Sequence, residues 1–234
     1  MDLWRGSERP FVIGHRGAAS VAPENTLASL EAAVEAGVDI VEFDLQPDLR
    51  LGHGPGELTP DAISVDEALD YLRLHGLGVQ LDLKLPGYEA EALAAVRRHG
   101  LEERALFSTA WPATIRELGR LAPEVPRAIG YPRDQYRVSS LPWPPVAGRV
   151  AAAVGRAAMP VRVPLLIKRT GATVLALHHT LCTTTAVRIA HARHVPVFAW
   201  TTNTPAAVRR VVELGVDAVV TDDPGMALAT LKAL

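Results

Sequence analysis

The chain is poor in cysteine. Its one thiol, Cys182, excludes an internal disulfide and any metal centre built from several thiolates. Nothing around that cysteine would lower its pKa, so it reads as a small apolar filler and not as a nucleophile. No charge sign is in excess: 24 Lys and Arg stand against 26 Asp and Glu, a balance that argues against a dedicated nucleic-acid binder. No stretch reads as long enough for an integral membrane segment, and the start, MDLWRGSERP, lacks the apolar core of a secretory signal. The expectation is therefore a cytoplasmic protein. No glycine-rich dinucleotide fingerprint follows the first strand, which places a doubly wound open sheet second among the folds.

What is present is a long alternation. Apolar residues make up 48% of the 234, enough for a sizeable core. Short Val-, Ile- and Leu-rich runs at Phe11–Gly14, Asp39–Leu45, Val79–Leu83, Arg104–Ser108, Arg127–Tyr131, Thr173–Leu177, Val195–Trp200 and Asp217–Val220 read as strands. Being nearly continuous in apolar character, they suit a parallel sheet covered on both faces. Helical patterns lie between them, opened by a capping box at Ser64–Glu67 or by a first-turn proline at Pro112, Pro205 and Pro224. Val146–Met159 reads as a helix with Arg149 and Arg156 on its wet side, and the Pro-Trp-Pro-Pro run at 142–145 as a loop. A basic amphipathic helix can touch membranes, but an ordinary barrel-surface helix is the better reading of that segment. Eight strand–helix rounds at roughly 30 residues each predict one (β/α)₈ barrel domain over residues 1–234.

Two fragments resist explanation as packing. His15-Arg16-Gly17 ends the first strand, and Glu42-Phe43-Asp44 lies within the second. Strand residues two apart share a face, so Glu42 and Asp44 project together from a segment that otherwise reads as buried. Buried carboxylates need positive charge beside them, from a metal ion or from a basic cluster. Asp82 and Lys84 repeat the same spacing on the third strand. In a barrel of this type the site lies at the C-terminal strand ends, where these residues collect with Trp200, Asn203, Thr221 and Asp222. Three carboxylates without sulfur suit a hard cation, Mg²⁺, Ca²⁺ or Mn²⁺, and Arg16 with Lys84 suits an anionic substrate such as a phosphate ester.

The order HRG, PENT, ExD, a single histidine and an acidic-x-Lys strand resembles the glycerophosphodiester phosphodiesterases. So does the late segment FAWTTNTPAAVRRVVELGVDAVVTDDP. The resemblance is specific over residues 11–46 and 195–224, partial over 49–84, and only topological over about 110–170. It implies a metal-dependent (β/α)₈ barrel that hydrolyses glycerophosphodiesters to glycerol 3-phosphate and an alcohol. Glu42, Asp44 and Asp82 would hold the divalent metal, and His15 and His53 would form the acid–base pair. Arg16 and Lys84 would neutralise phosphoryl oxygens, and Trp200 would wall the substrate site. The family usually carries Glu where Asp82 stands. The stretch from Asp44 to His53 is four residues shorter than usual, and only Gly54 to Ile63 replaces the covering insertion, which predicts an open, shallow site. Lysophospholipase D-type hydrolysis and a weakened barrel that only binds phosphate esters are the alternatives.

Of the remaining polar residues, His75 and His99 read as helix C-terminal caps and His178 and His179 as rim or core histidines. Glu24 and Asn25 read as braces of the first loop, with a helix cap among their roles.

Overall fold

A computed structural model describes residues 9–54, 62–133 and 145–234. Its eight strands are β1 (Phe11–Gly14), β2 (Ile40–Leu45), β3 (Gly78–Leu83), β4 (Ala105–Thr109), β5 (Arg127–Tyr131), β6 (Val174–His178), β7 (Val197–Trp200) and β8 (Ala218–Thr221). They pair in sequence order, all parallel, and β8 closes on β1, giving the expected (β/α)₈ barrel. The outer ring is α1 (Leu27–Ala36), α2 (Val65–His75), α3 (Glu89–Arg98), α4 (Pro112–Leu121), α5 (Pro145–Thr170), α6 (Thr184–His191), α7 (Pro205–Glu213) and α8 (Pro224–Lys232).

Local chemistry sets the helix ends. Thr26 opens α1 through a reciprocal capping box with Ser29, so the cap falls on Thr26 and not on Asn25. Ser64 and Glu67 do the same for α2, and prolines occupy the first turns of α4, α7 and α8. His75 Nδ1 contacts the Tyr71 carbonyl near the end of α2, in keeping with a C-terminal role. His99 is the C-cap residue of α3, as expected, and its ring also lies 2.8 Å from Asp66 and 2.9 Å from Asp70, tying α3 to α2.

Period-two alternation divides the apolar residues into two cores. Val12, Val41, Phe43, Val79, Leu81, Phe107, Leu175 and Val219 face outward onto the helices. Ile13, Ile40, Leu106, Ala128, Val174, Ala176, Phe198, Ala218 and Val220 fill the barrel interior. That inner plug is the floor on which the site stands.

The main departure from expectation is α5. It runs 26 residues, through Pro160 and Pro164, where a shorter helix ending at Met159 was expected. Each internal proline costs about 3 kcal/mol. The helix continues because Met159 and Val163 are completely buried against the barrel, and such burials stabilise by roughly 1.5–3 kcal/mol each. Arg156, expected on the wet side, turns inward to donate to the Thr180 carbonyl at 3.3 Å. Val150–Thr170 is also long and apolar enough to cross a membrane by length and composition, against the expectation that no stretch would be. Of the loop expected at 142–145, Pro145 instead opens α5 and 142–144 lie outside the described residues, as do positions 55–61 of the expected short connection.

Candidate active site

On five strands an inward apolar residue is followed at the next inward position by a polar or aromatic one, whereas on β5 Ala128 is followed by Gly130. Ile13 is followed by His15, Leu106 by Ser108, Ala176 by His178, Phe198 by Trp200 and Val220 by Asp222. On β2 the inward series is Ile40, Glu42, Asp44, and on β3 it is Gln80, Asp82, with Lys84 just beyond the strand. The β2–β3 register sets Glu42 beside Gln80 and Asp44 beside Asp82. The site is thus the layer directly above the apolar plug.

Ligand oxygens of Glu42, Asp44 and Asp82 all lie within 4.8 Å of one another. Asp44 is completely buried, and both its oxygens face cations. Arg16 Nε lies 2.9 Å from Oδ2 as an ion pair, and the Lys84 ammonium lies against Oδ1. Neither contact has hydrogen-bond geometry, so Asp44 Oδ1 remains a buried acceptor without a hydrogen bond. Lys84 also pairs with Asp82 Oδ2 at 2.6 Å, while Ser108 Oγ donates to Asp82 Oδ1 at 2.7 Å and is itself held by Gln80.

The electrostatics follow from burial and crowding. Burial and then the Asp44 charge push the Glu42 carboxyl up to about 7. Burial opposes ionisation of Asp44 too, but Lys84 and Arg16 outweigh it and hold its carboxyl well below the usual range. The same carboxylates overcome burial at Lys84 and Arg16 and fix both as cations.

The first loop is shaped for this layer. Arg16 and Gly17 have positive φ, 55° and 87°, and a Cβ on Gly17 would lie 2.5 Å from the Ser29 carbonyl oxygen. The tight turn brings the Arg16 backbone N–H 2.8 Å from Glu42 Oε2. Glu24 accepts from Arg16 Nη1 at 2.7 Å, and Asn25 clasps Asp44 twice, accepting from its backbone N–H at 2.9 Å and donating to Oδ2 at 3.0 Å.

His15 contacts Asp222 Oδ1 through Nδ1 at 2.5 Å. Asn203 fixes that carboxylate by donating to its other oxygen and accepting from the Asp222 backbone N–H at 2.9 Å. Burial lowers the His15 pKa, but the Asp222 hydrogen bond and the Glu42 charge more than offset it, so the net shift is upward. With Nδ1 occupied, Nε2 is the nitrogen left for proton exchange. Asp222 and Asn203 were visible in sequence only as polar residues at strand ends. Their signal was position, two residues beyond the last inward apolar side chain of β8 and three beyond Trp200.

His53 is exposed, next to Gly52, whose N–H donates to the Asp44 carbonyl at 3.0 Å. The backbone therefore ties the exposed His53 close to the end of β2. Trp200 is half-buried at the end of β7, its Nε1 buried without a hydrogen-bond partner and its ring 5.3 Å from that of His178, edge-on. Burial lowers the pKa of His178, and burial with the His178 charge brings His179 to about 4. Cys182 is buried and its thiol pushed up to about 12 by that burial, as suits a filler.

The donor set fits a hard divalent cation. Among the described residues, the five carboxylates Glu24, Glu42, Asp44, Asp82 and Asp222, fully ionised, exceed Arg16, Lys84 and protonated His15 by two charges. A phosphodiester anion would be repelled by that surplus, and one divalent cation cancels it.

Comparison with known proteins agrees with the architecture. The model of the glycerophosphoryl diester phosphodiesterase family matches residues 15–47 and 66–226. A glycerophosphodiester phosphodiesterase from Caldanaerobacter subterraneus subsp. tengcongensis is 22% identical over 262 residues, covering 92% of this chain and 95% of the relative. Among solved structures, a glycerophosphodiester phosphodiesterase from Parabacteroides distasonis superposes with a TM-score of 0.75 at 19% identity, covering 97% and 99% of the two chains. An Oleispira antarctica phosphodiesterase in complex with its product sn-glycerol-3-phosphate gives 0.70 at 23% identity, covering 96% and 97%.

Proposed function

Because the chain belongs to the glycerophosphoryl diester phosphodiesterase family, and is a phosphodiesterase on that ground, we propose that it hydrolyses small glycerophosphodiesters to glycerol 3-phosphate and an alcohol. The domain is taken as one barrel over residues 1–234. The observation that carries the reading is the set of three carboxylates closed by Arg16 and Lys84 in the layer above the apolar plug.

Glu42, Asp44 and Asp82 hold the divalent cation, Mg²⁺, Ca²⁺ or Mn²⁺. When bound, that ion supplies neutralisation of charge at a phosphoryl oxygen. Arg16 and Lys84 keep the pocket cationic at the edge where the phosphodiester docks, and their ion pairs with Asp44 hold them in place. His15 exchanges a proton through Nε2 while Asp222 keeps Nδ1 protonated and the ring oriented. His53 is the second proton carrier. Trp200 walls the substrate site.

Purified protein is assayed on glycerophosphocholine and on lysophosphatidylcholine, before and after chelation. The expected result is release of glycerol 3-phosphate from the first, lost on chelation and restored by a divalent cation. Full turnover after chelation would overturn the metal assignment. Exclusive release of choline from the lysophospholipid would move the function to the lysophospholipase D type.

A further inference from the structure

The outer face of α5 is the surface that packing does not explain. At 1.5 Å per residue its 26 residues span about 39 Å. The inner side is spent on the barrel: Met159 and Val163 are buried, and Gly155 sits so close to Leu181 that an added Cβ would lie 2.7 Å from it. The outer side exposes Val150, Val154, Ala157, Val161 and Leu165, each three or four residues from the last and so aligned as one stripe. The four branched residues are 57%, 65%, 65% and 41% exposed. Arg162, Lys168 and Arg169 are exposed on the same helix.

Charge decides what covers this stripe. From Gln135 to Val212 the sequence has no Asp or Glu, against ten Lys and Arg. The near-neutral chain is therefore divided into a strongly cationic segment and an anionic remainder. A second copy laid on the stripe would set cation against cation. An anionic bilayer matches both features, with lipid phosphates for the cations and the acyl boundary for the valines.

We propose that the outer face of α5 seats the protein on an anionic lipid bilayer surface. The helix lies in the plane of the interface, because its opposite side is committed to the barrel through Met159 and Val163. Residues 155–156 pack against Thr180 and Leu181, just past the end of β6, so the upper part of the stripe stands beside the barrel mouth. Docking therefore brings the mouth to the membrane, where lipid-derived phosphodiesters are richest. That substrate consequence rests on the hydrolase reading; the docking does not.

The test is co-sedimentation of the whole chain with vesicles of phosphatidylcholine alone or with phosphatidylglycerol added, at low and high salt, beside a measurement of oligomeric state without vesicles. The chain is expected to sediment with the anionic vesicles only and to be released by salt. Val154→Glu with Val161→Glu is expected to lower partitioning roughly tenfold or more, and Arg162→Gln or Lys168→Gln roughly fivefold each. No sedimentation at low salt, equal sedimentation with neutral vesicles, or unchanged binding in the valine variant overturns the proposal. So does a dimer that the valine variant dissociates, which would assign the stripe to a second copy. Hydrolysis of soluble glycerophosphocholine stays at the parent level in these variants. Its absence from the parent protein would count against the proposed activity and leave the docking result standing.

Discussion

Replacing Asp222 by Asn is the sharpest test of the proton-transfer geometry. Asp222 accepts from both sides, with His15 Nδ1 at 2.5 Å on Oδ1 and the Asn203 amide on Oδ2. An Asn at 222 offers one acceptor and one donor. Asn203 can only donate there, because its own oxygen already accepts from the 222 backbone N–H at 2.9 Å. The new carbonyl therefore turns to Asn203 and the new NH₂ turns to His15, which must then accept at Nδ1 and carry its proton on Nε2. The ring is left in the wrong tautomer and without its anionic partner. Loss of a hydrogen bond to a charged group costs roughly 1.5–3 kcal/mol, about 10- to 150-fold in kcat/KM, and the tautomer change adds to it. Burial lowers the His15 pKa and Asp222 is the first of the groups that raise it, so the variant's His15 limb moves to lower pH. The assay is kcat and KM for glycerophosphocholine against pH at saturating divalent cation, with thermal melts to show that the fold persists. The expected result is a fall in kcat, little change in KM and a displaced limb. A kcat within about twofold of the parent and an unmoved pH profile would refute the reasoning.

Two further predictions concern the carboxylate group. Ser108→Ala removes the hydroxyl that donates to Asp82 Oδ1 at 2.7 Å; it should raise the cation concentration for half-maximal activity by roughly tenfold or more, read by titrating chelated protein. Glu42 is pushed up to about 7 by burial and by Asp44. A folded pKa above the unfolded value gives stability that is present below the unfolded pKa and lost as pH rises through the folded one. The cation-free protein should thus lose Tm as pH rises from about 4.5 towards 7 relative to Glu42→Gln, and saturating divalent cation should remove the difference. A cation-free Tm that rises over that window relative to the variant would contradict the shift.

The barrel was legible because its signals are local and repeated. Prolines at 112, 205 and 224 and the box at Ser64–Glu67 mark helix starts through backbone chemistry that needs no partner. Glu42 and Asp44 stood out for a related reason, since carboxylates two apart in an apolar strand have no bland explanation. The length of α5 was not legible. Pro160 and Pro164 read as stops, and only the burial of Met159 and Val163 against the barrel, a tertiary fact, overrules them. Ser108 was equally silent: one hydroxyl in an apolar strand becomes informative only when β3 and β4 pair in the register that sets it beside Asp82.

The buried carboxylates of β2 are answered by a basic cluster only in part, which pattern alone does not reveal. The basic cluster is present: Arg16 and Lys84 meet the two oxygens of Asp44. It is also insufficient, because Glu24 and Asp222 bring further negative charge to Arg16 and His15. Those two acids lie far apart in sequence and join the site only through the first loop and the closing strand. Their arrival, with His15 protonated, raises the deficit from the one charge that Arg16 and Lys84 leave on Glu42, Asp44 and Asp82 to two. Glu24 and Asp222 are partly exposed, so water screens their share, and the charge around the buried Glu42 and Asp44 is met by protonation or by an ion. The elevated pKa of Glu42 is the protonation answer; a bound divalent cation is the other, and under the proposed function it is the one that admits a phosphodiester anion.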